Sequence, residues 1–154
     1  MPVNVMSEAV LSRREAREIL LGLLFESEFR TDESYTEIYA LSAEDRLIPT
    51  DEYIKKAYYA INENKADIDE RIARNAKGWR VDRLSKMSRS LLRLGAYEMI
   101  FETAIPFRVT INEVIELTKS YDDEKAKGFI NGVLNGLKDE LTAEGLNKDE
   151  PKKK

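Results

Sequence analysis

Apolar residues return at steps of three and four through most of the chain between residues 12 and 138. That is the period of an amphipathic α-helix, and no strand-like alternation lasts long enough to compete with it. Ser12 and Glu15 are spaced as a capping box and open a first helix running to about residue 30. Asp32 or Ser34 opens a short second helix over residues 35–41. After Pro49-Thr50, the seam Ile54, Tyr58, Ile61, Ile68 and Ile72 predicts a long helix, kinked near residues 62–64 and ended by Gly78-Trp79. Residues 83–101 form a more uniformly apolar helix (Leu84, Met87, Leu91, Leu92, Leu94, Met99, Ile100), which belongs at the centre of a bundle.

Pro106 separates that helix from two more. Thr110 and Glu113 have capping-box spacing, with Val109 and Val114 flanking them as a hydrophobic staple, and predict a helix start there. The charged stretch Asp122-Asp123-Glu124-Lys125 closes this segment. The last run holds Phe129, Ile130, Val133, Leu134 and Leu137, interrupted by Asn131-Gly132. Glycine costs about 1 kcal/mol in a helix interior, so the pair points to a close helix crossing or a side-chain amide with a set task. Residues 1–11 read as a flexible arm, 12–140 as a single helical domain and 141–154 as a flexible charged tail.

On the first helix, at 100° per residue, Ala16, Ile19, Leu20 and Leu23 share the core face, while Glu15, Glu18, Gly22 and Glu26 face water. Leu21, Phe25 and Phe29 fall outside that core stripe. Arg13, Arg14 and Arg17 cluster within an arc of ~100° beside them. Two readings follow. The helix is buried over a broad arc with its arginines snorkelling at one end, or the arginines and exposed aromatics grip phosphates, bases or a partner protein.

Composition narrows the chemistry. The 154 residues include no cysteine and no histidine, so disulfides, thiolate chemistry and the side chain best suited to proton transfer near neutral pH are all missing. Zinc would have to be held by carboxylates alone, a poor match to its nitrogen and sulfur preference. No glycine-rich phosphate loop and no run of ~18 apolar residues appears, and charges near the N-terminus break any signal-peptide core. A cytoplasmic, non-enzymatic protein with no cofactor and no membrane association is expected. The net charge of −4 argues against indiscriminate nucleic-acid binding. Yet bases gather in Arg13-Arg14-Arg17, in residues 80–93 (Arg89 among them) and in Lys152-Lys153-Lys154, a distribution suited to selective contact.

These segments together resemble the NusB family of transcription antitermination factors. The resemblance is carried by Arg13-Arg14-Glu15-Ala16-Arg17 and by Leu91-Leu92-Arg93-Leu94-Gly95-Ala96-Tyr97-Glu98. It continues through Ile105-Pro106, Ile111-Asn112-Glu113-Val114-Ile115-Glu116-Leu117 and Phe129-Ile130-Asn131-Gly132-Val133-Leu134, and spans residues 12–138. It implies an all-α, NusB-like fold of two small packed helical bundles. It also implies pairing with the ribosomal protein NusE and binding of single-stranded boxA RNA, within an antitermination complex on RNA polymerase. Arg13, Arg14 and Arg17 match the family's arginine-rich RNA-binding motif, with Arg89 in the second basic cluster a further RNA candidate, and Lys127 and Phe129 match a second RNA-contacting segment. Leu21, Phe25, Phe29, Asp82 and Lys125 fall on the expected partner surface. Two positions depart from the family pattern: Ser88 and Lys125 stand where relatives often carry acidic residues. Family members occur as monomers and as dimers that hide the arginine motif, so a homodimer remains open.

The competing reading is a helical protein-interaction or dimerisation module in which Leu21, Phe25 and Phe29 form the interface and the arginines only solubilise it. NusB-like domains also open ribosomal RNA cytosine methyltransferases. No nucleotide-binding segment follows in this sequence, so methyl transfer is not expected of it.

Overall fold

The computed structural model of the protein describes residues 11–46, 48, 51–146 and 148. Pro49-Thr50, the arm over residues 1–10 and the Lys152-Lys153-Lys154 run lie outside the described residues. Among the described residues the secondary structure is entirely helical. In chain order the helices are α1 (Arg13–Ser27), α2 (Tyr35–Arg46), α3 (Glu52–Glu63), α4 (Lys65–Asn75), α5 (Lys86–Phe101), α6 (Phe107–Tyr121) and α7 (Ala126–Ala143), with a 3₁₀ turn at Val81–Arg83. They fall into two compact units, Met1–Glu63 and Asn64–Lys154.

In the first unit, α1 packs against both α2 and α3, which also touch each other. The predicted capping box opens α1: the Glu15 amide donates to Ser12 Oγ at 3.0 Å and the Ser12 amide to Glu15 Oε1 at 2.9 Å. A second box opens α2, where Ser34 and Glu37 exchange the same bonds at 3.2 and 3.1 Å. Helix α1 stops at Ser27 rather than near residue 30. Past that point Arg30 turns back on Glu26 and forks onto both oxygens of Glu33, fixing a non-helical turn.

Being flanked by two helices decides which residues of α1 are buried. A single neighbour would cover the stripe Ala16, Leu20 and Leu23; two neighbours also cover Arg17, Leu21 and Leu24. Leu21 is 2% exposed and Arg17 3%, which fits the reading of a helix buried over a broad arc and removes both from the surface that the other reading gave them. Both follow from position, since residues 17, 20, 21 and 24 are helical neighbours on one face.

The seam Ile54, Tyr58, Ile61, Ile68 and Ile72 is wholly buried as predicted. It belongs to two helices, because Asn64, with φ −114° and ψ 23°, leaves helical geometry between α3 and α4. The Tyr58 hydroxyl meets Ser27 Oγ at 2.6 Å, and burial pushes its phenol pKa up.

The second unit is built around α5, which touches α4, α6 and α7. Leu91, Leu92, Leu94, Ala96, Tyr97 and Met99 are all fully buried, so its expected central place holds. Two glycines permit close approach. A Cβ at Gly95 would sit 3.1 Å from Leu134 Cδ2 and 3.3 Å from Val114 Cγ2, and one at Gly136 only 2.6 Å from Asn75 Oδ1. Gly132, where a crossing was expected, has nothing within 4 Å, and Asn131 is exposed.

The start of α6 also differs from expectation. Pro106 supplies the cap geometry, with φ −62° and ψ 149°, and its carbonyl accepts from the Val109 and Thr110 amides. Thr110 is thus inside the helix, where its hydroxyl donates to Glu98 Oε1 at 2.7 Å instead of capping.

Candidate nucleic-acid interface

In the first unit, Arg13 and Arg14 occupy the first turn of α1 and are exposed. Their placement opposes the helix dipole, whose positive end lies there and favours anions; Glu15 is the one acidic group in that turn. Two guanidiniums added to a positive helix end make a local field suited to phosphate. The Arg13 guanidinium sits 4.2 Å from the Tyr53 ring centroid, a cation–π contact that orients it. Arg17 is interior, and no buried side-chain nitrogen or oxygen among the described residues lacks a hydrogen-bond partner.

The far end of α1 carries the aromatic pair. Phe25 is half-buried and Phe29 is 64% exposed, their rings edge to face with centroids 5.1 Å apart. Leu21 does not join them at the surface.

In the second unit, Lys127 and Phe129 lie in the first turn of α7. Lys127 Nζ is 3.3 Å from Glu124 Oε2, and the half-buried Phe129 ring meets Trp79 edge to face. Lys125 is exposed just before the helix, its amide donating to Asp123 Oδ1 at 3.1 Å. Asp82 is exposed in the 3₁₀ turn and pairs with Arg80 at 2.8 Å. Arg89 braces that turn, Nη1 donating to the carbonyls of Val81 at 3.0 Å and Leu84 at 3.1 Å. Ser88, one of the departures from the family pattern, donates through Oγ to Asp122 Oδ2 at 2.7 Å. An acidic residue there would set two carboxylates against each other, so Ser88 and Asp122 form a matched pair.

Comparison with known proteins decides the kinship. A model of the NusB family matches residues 14–139. The chain is 40% identical over 142 residues to a transcription antitermination protein NusB of Clostridium botulinum, covering 82% of this chain and 99% of that one. It is 40% identical over 134 residues to the NusB of Bacillus licheniformis, covering 85% and 99%. The chain belongs to the NusB family.

Solved NusB structures share its fold. The T. maritima NusB matches with a TM-score of 0.77 at 35% identity, covering 86% of this chain and 94% of that one. A chain from the complex of antitermination factors NusB and NusE with dsRNA matches with a TM-score of 0.73 at 30% identity, covering 83% and 96%. Against this NusB-family background, two residues near the surface groups had drawn no functional expectation. Tyr53 orients Arg13, and its place in an otherwise ordinary helical pattern offered no clue. Trp79 faces Phe129, and its one signal was a large aromatic beside Gly78 in a polar stretch.

Proposed function

We propose that this protein is a non-enzymatic RNA-binding adaptor of transcription antitermination, engaging single-stranded boxA RNA together with NusE. The carrying observation is Arg13-Arg14 exposed at a capped helix start, where cations oppose the helix dipole, in a chain similar to the NusB of a NusB–NusE–dsRNA complex. In the first unit Arg13 and Arg14 contact phosphates, with Arg17 buried behind them; in the second, Lys127 and Phe129 add a second contact, and Arg89 braces the 3₁₀ turn of that unit. Phe25 and Phe29 of the first unit offer NusE an aromatic anchor, and Asp82 and Lys125 of the second unit are further candidate partner contacts.

The test is a titration of boxA and scrambled RNA at several salt concentrations with NusE present. Arg13→Ala/Arg14→Ala is expected to abolish the preference for boxA and to flatten the salt slope by about 1.4, at ~0.7 per lost single-strand phosphate contact. Deleting residues 151–154 is expected to weaken both RNAs equally. Retained discrimination in the double variant overturns the assignment of these arginines.

A further inference from the structure

A groove of about 290 Å³ in the second unit is lined by Lys77, Trp79, Gly128, Phe129, Gly132 and Val133, among others. Its aromatic side is the Trp79–Phe129 pair, with ring centroids 5.9 Å apart and planes at 63°. Trp79, the chain's single tryptophan, is 57% exposed. A ring of that size is ordinarily drawn into a core; here the backbone holds it out. The Trp79 amide donates to the Ala76 carbonyl at 3.2 Å across Lys77 and Gly78, whose φ values are 47° and 93°. A left-handed φ at a residue that carries a Cβ costs about 1 kcal/mol; Lys77 takes it directly after the Ala76 cap of α4, and the turn that ends the helix leaves the indole at the surface.

The helix side of the groove is bare. Neither Gly128 nor Gly132 has a neighbour within 4 Å of where a Cβ would stand, so packing demands glycine at neither position. Gly132, inside the helix, costs about 1 kcal/mol of propensity relative to alanine, and both glycines leave the groove open. Its charge is one-sided: Lys77 lines it, Lys127 precedes Gly128 and Arg80 follows Trp79, whereas no carboxylate lines it among the described residues. Acids around it are engaged: Glu124 pairs with Lys127, Asp82 with Arg80, and Glu140 accepts from Arg71, Arg74 and the lining Asn75. An open aromatic face, a bare backbone wall and a cationic rim fit a flat π-system carried on a phosphate chain better than an apolar peptide.

We propose that this groove receives one unpaired nucleobase of RNA, stacked on the Trp79 indole while Lys77 and Lys127 meet the flanking phosphates. The proposal rests on the RNA-binding reading above and adds Trp79 to it. Because every base offers a π-face, Trp79 supplies affinity without choosing the base.

The single tryptophan makes the test direct. The full chain is titrated with boxA and scrambled single-stranded RNA, with and without NusE. Indole emission reports on Trp79, and anisotropy of labelled RNA reports binding independently; Trp79→Phe serves as the emission blank. Indole emission is expected to be quenched in step with the anisotropy. Trp79→Ala is expected to weaken both RNAs by roughly 5- to 100-fold, with Trp79→Phe retaining most of the affinity. Gly132→Leu, which fills the groove from the opposite side, is expected to weaken RNA without lowering thermal stability. RNA that binds with unchanged emission and equal affinity for Trp79→Ala overturns the slot and leaves the RNA reading standing. An emission change on adding NusE alone, with none on adding RNA, assigns the groove to a protein and also overturns it. Absence of RNA binding by anisotropy, even with NusE, removes both.

Discussion

Thr110 Oγ1 donates to Glu98 Oε1 at 2.7 Å, tying α6 to α5 at a point where neither residue has any exposed surface. The bond gives the buried carboxyl a partner from the neighbouring helix, so the pairing of the two helices is specified by polar chemistry as well as by packing. Thr110→Val keeps the shape and removes the donor, and is expected to cost about 1–3 kcal/mol. Chemical denaturation checks it; a loss under ~0.5 kcal/mol would show that the bond contributes little beyond packing.

Leu91 and Leu94 line the fully buried face of α5. Leu91→Ala or Leu94→Ala is expected to cost about 2–5 kcal/mol, through lost transfer energy and the cavity left behind. Denaturant melts measure it. A cost below ~1 kcal/mol would mean that α5 is not the centre of its unit.

Arg17 and Arg13 lie one helical turn apart yet in different surroundings, one interior and one exposed. Arg17→Ala is expected to lower stability by about 1–3 kcal/mol, through lost packing of its stem and the polar partners left behind. Arg13→Ala and Arg14→Ala are expected to leave stability within ~0.5 kcal/mol and to act on RNA affinity. Thermal melts and RNA titration of the three single variants separate the roles. Equal stability losses would refute the distinction.

Glu140 accepts hydrogen bonds from Arg74, Asn75 and Arg71, with the shortest at 2.7 Å from Arg74 Nη2. The Arg74 bond is the main reason its carboxyl pKa is held below the ordinary value of 4.5. A carboxylate depressed in the folded state adds stability above its unfolded pKa and loses it as pH falls through the folded one. Glu140→Gln is therefore expected to cost about 1–2 kcal/mol at neutral pH, with the gap from wild type closing on acidification below about 4.5. Melts of both proteins across that range test it, and a gap independent of pH would show that the charge is not what stabilises.

Phe25 is half-buried against the exposed Phe29. Phe25→Ala is expected to weaken NusE binding by about 2 kcal/mol, the usual scale for an aromatic anchor, with a smaller loss of stability. Calorimetric titration with NusE beside a thermal melt distinguishes the effects. If the variant unfolds, Phe25 belongs to the core.

Helices, caps and breaks were legible because they depend on contacts within a few residues. Ser12 with Glu15 caps where its spacing says, Ser34 rather than Asp32 opens the second helix, and the seam from Ile54 to Ile72 is buried throughout. The ordered motifs from Arg13 to Leu134 were sufficient to reveal the family. What the sequence could not decide is which helices flank which. A second neighbour turned Leu21 and Arg17 inward, although their spacing allowed them to face water. The approach of α5 made Thr110 a cross-helix donor rather than a cap, and the crossings fell at Gly95 and Gly136 rather than at Gly132. Trp79 and Phe129, fifty residues apart in sequence, meet only because α4 packs against α7. Periodicity fixes the direction of a side chain around its own helix axis; the neighbour that meets it there is set by tertiary packing alone.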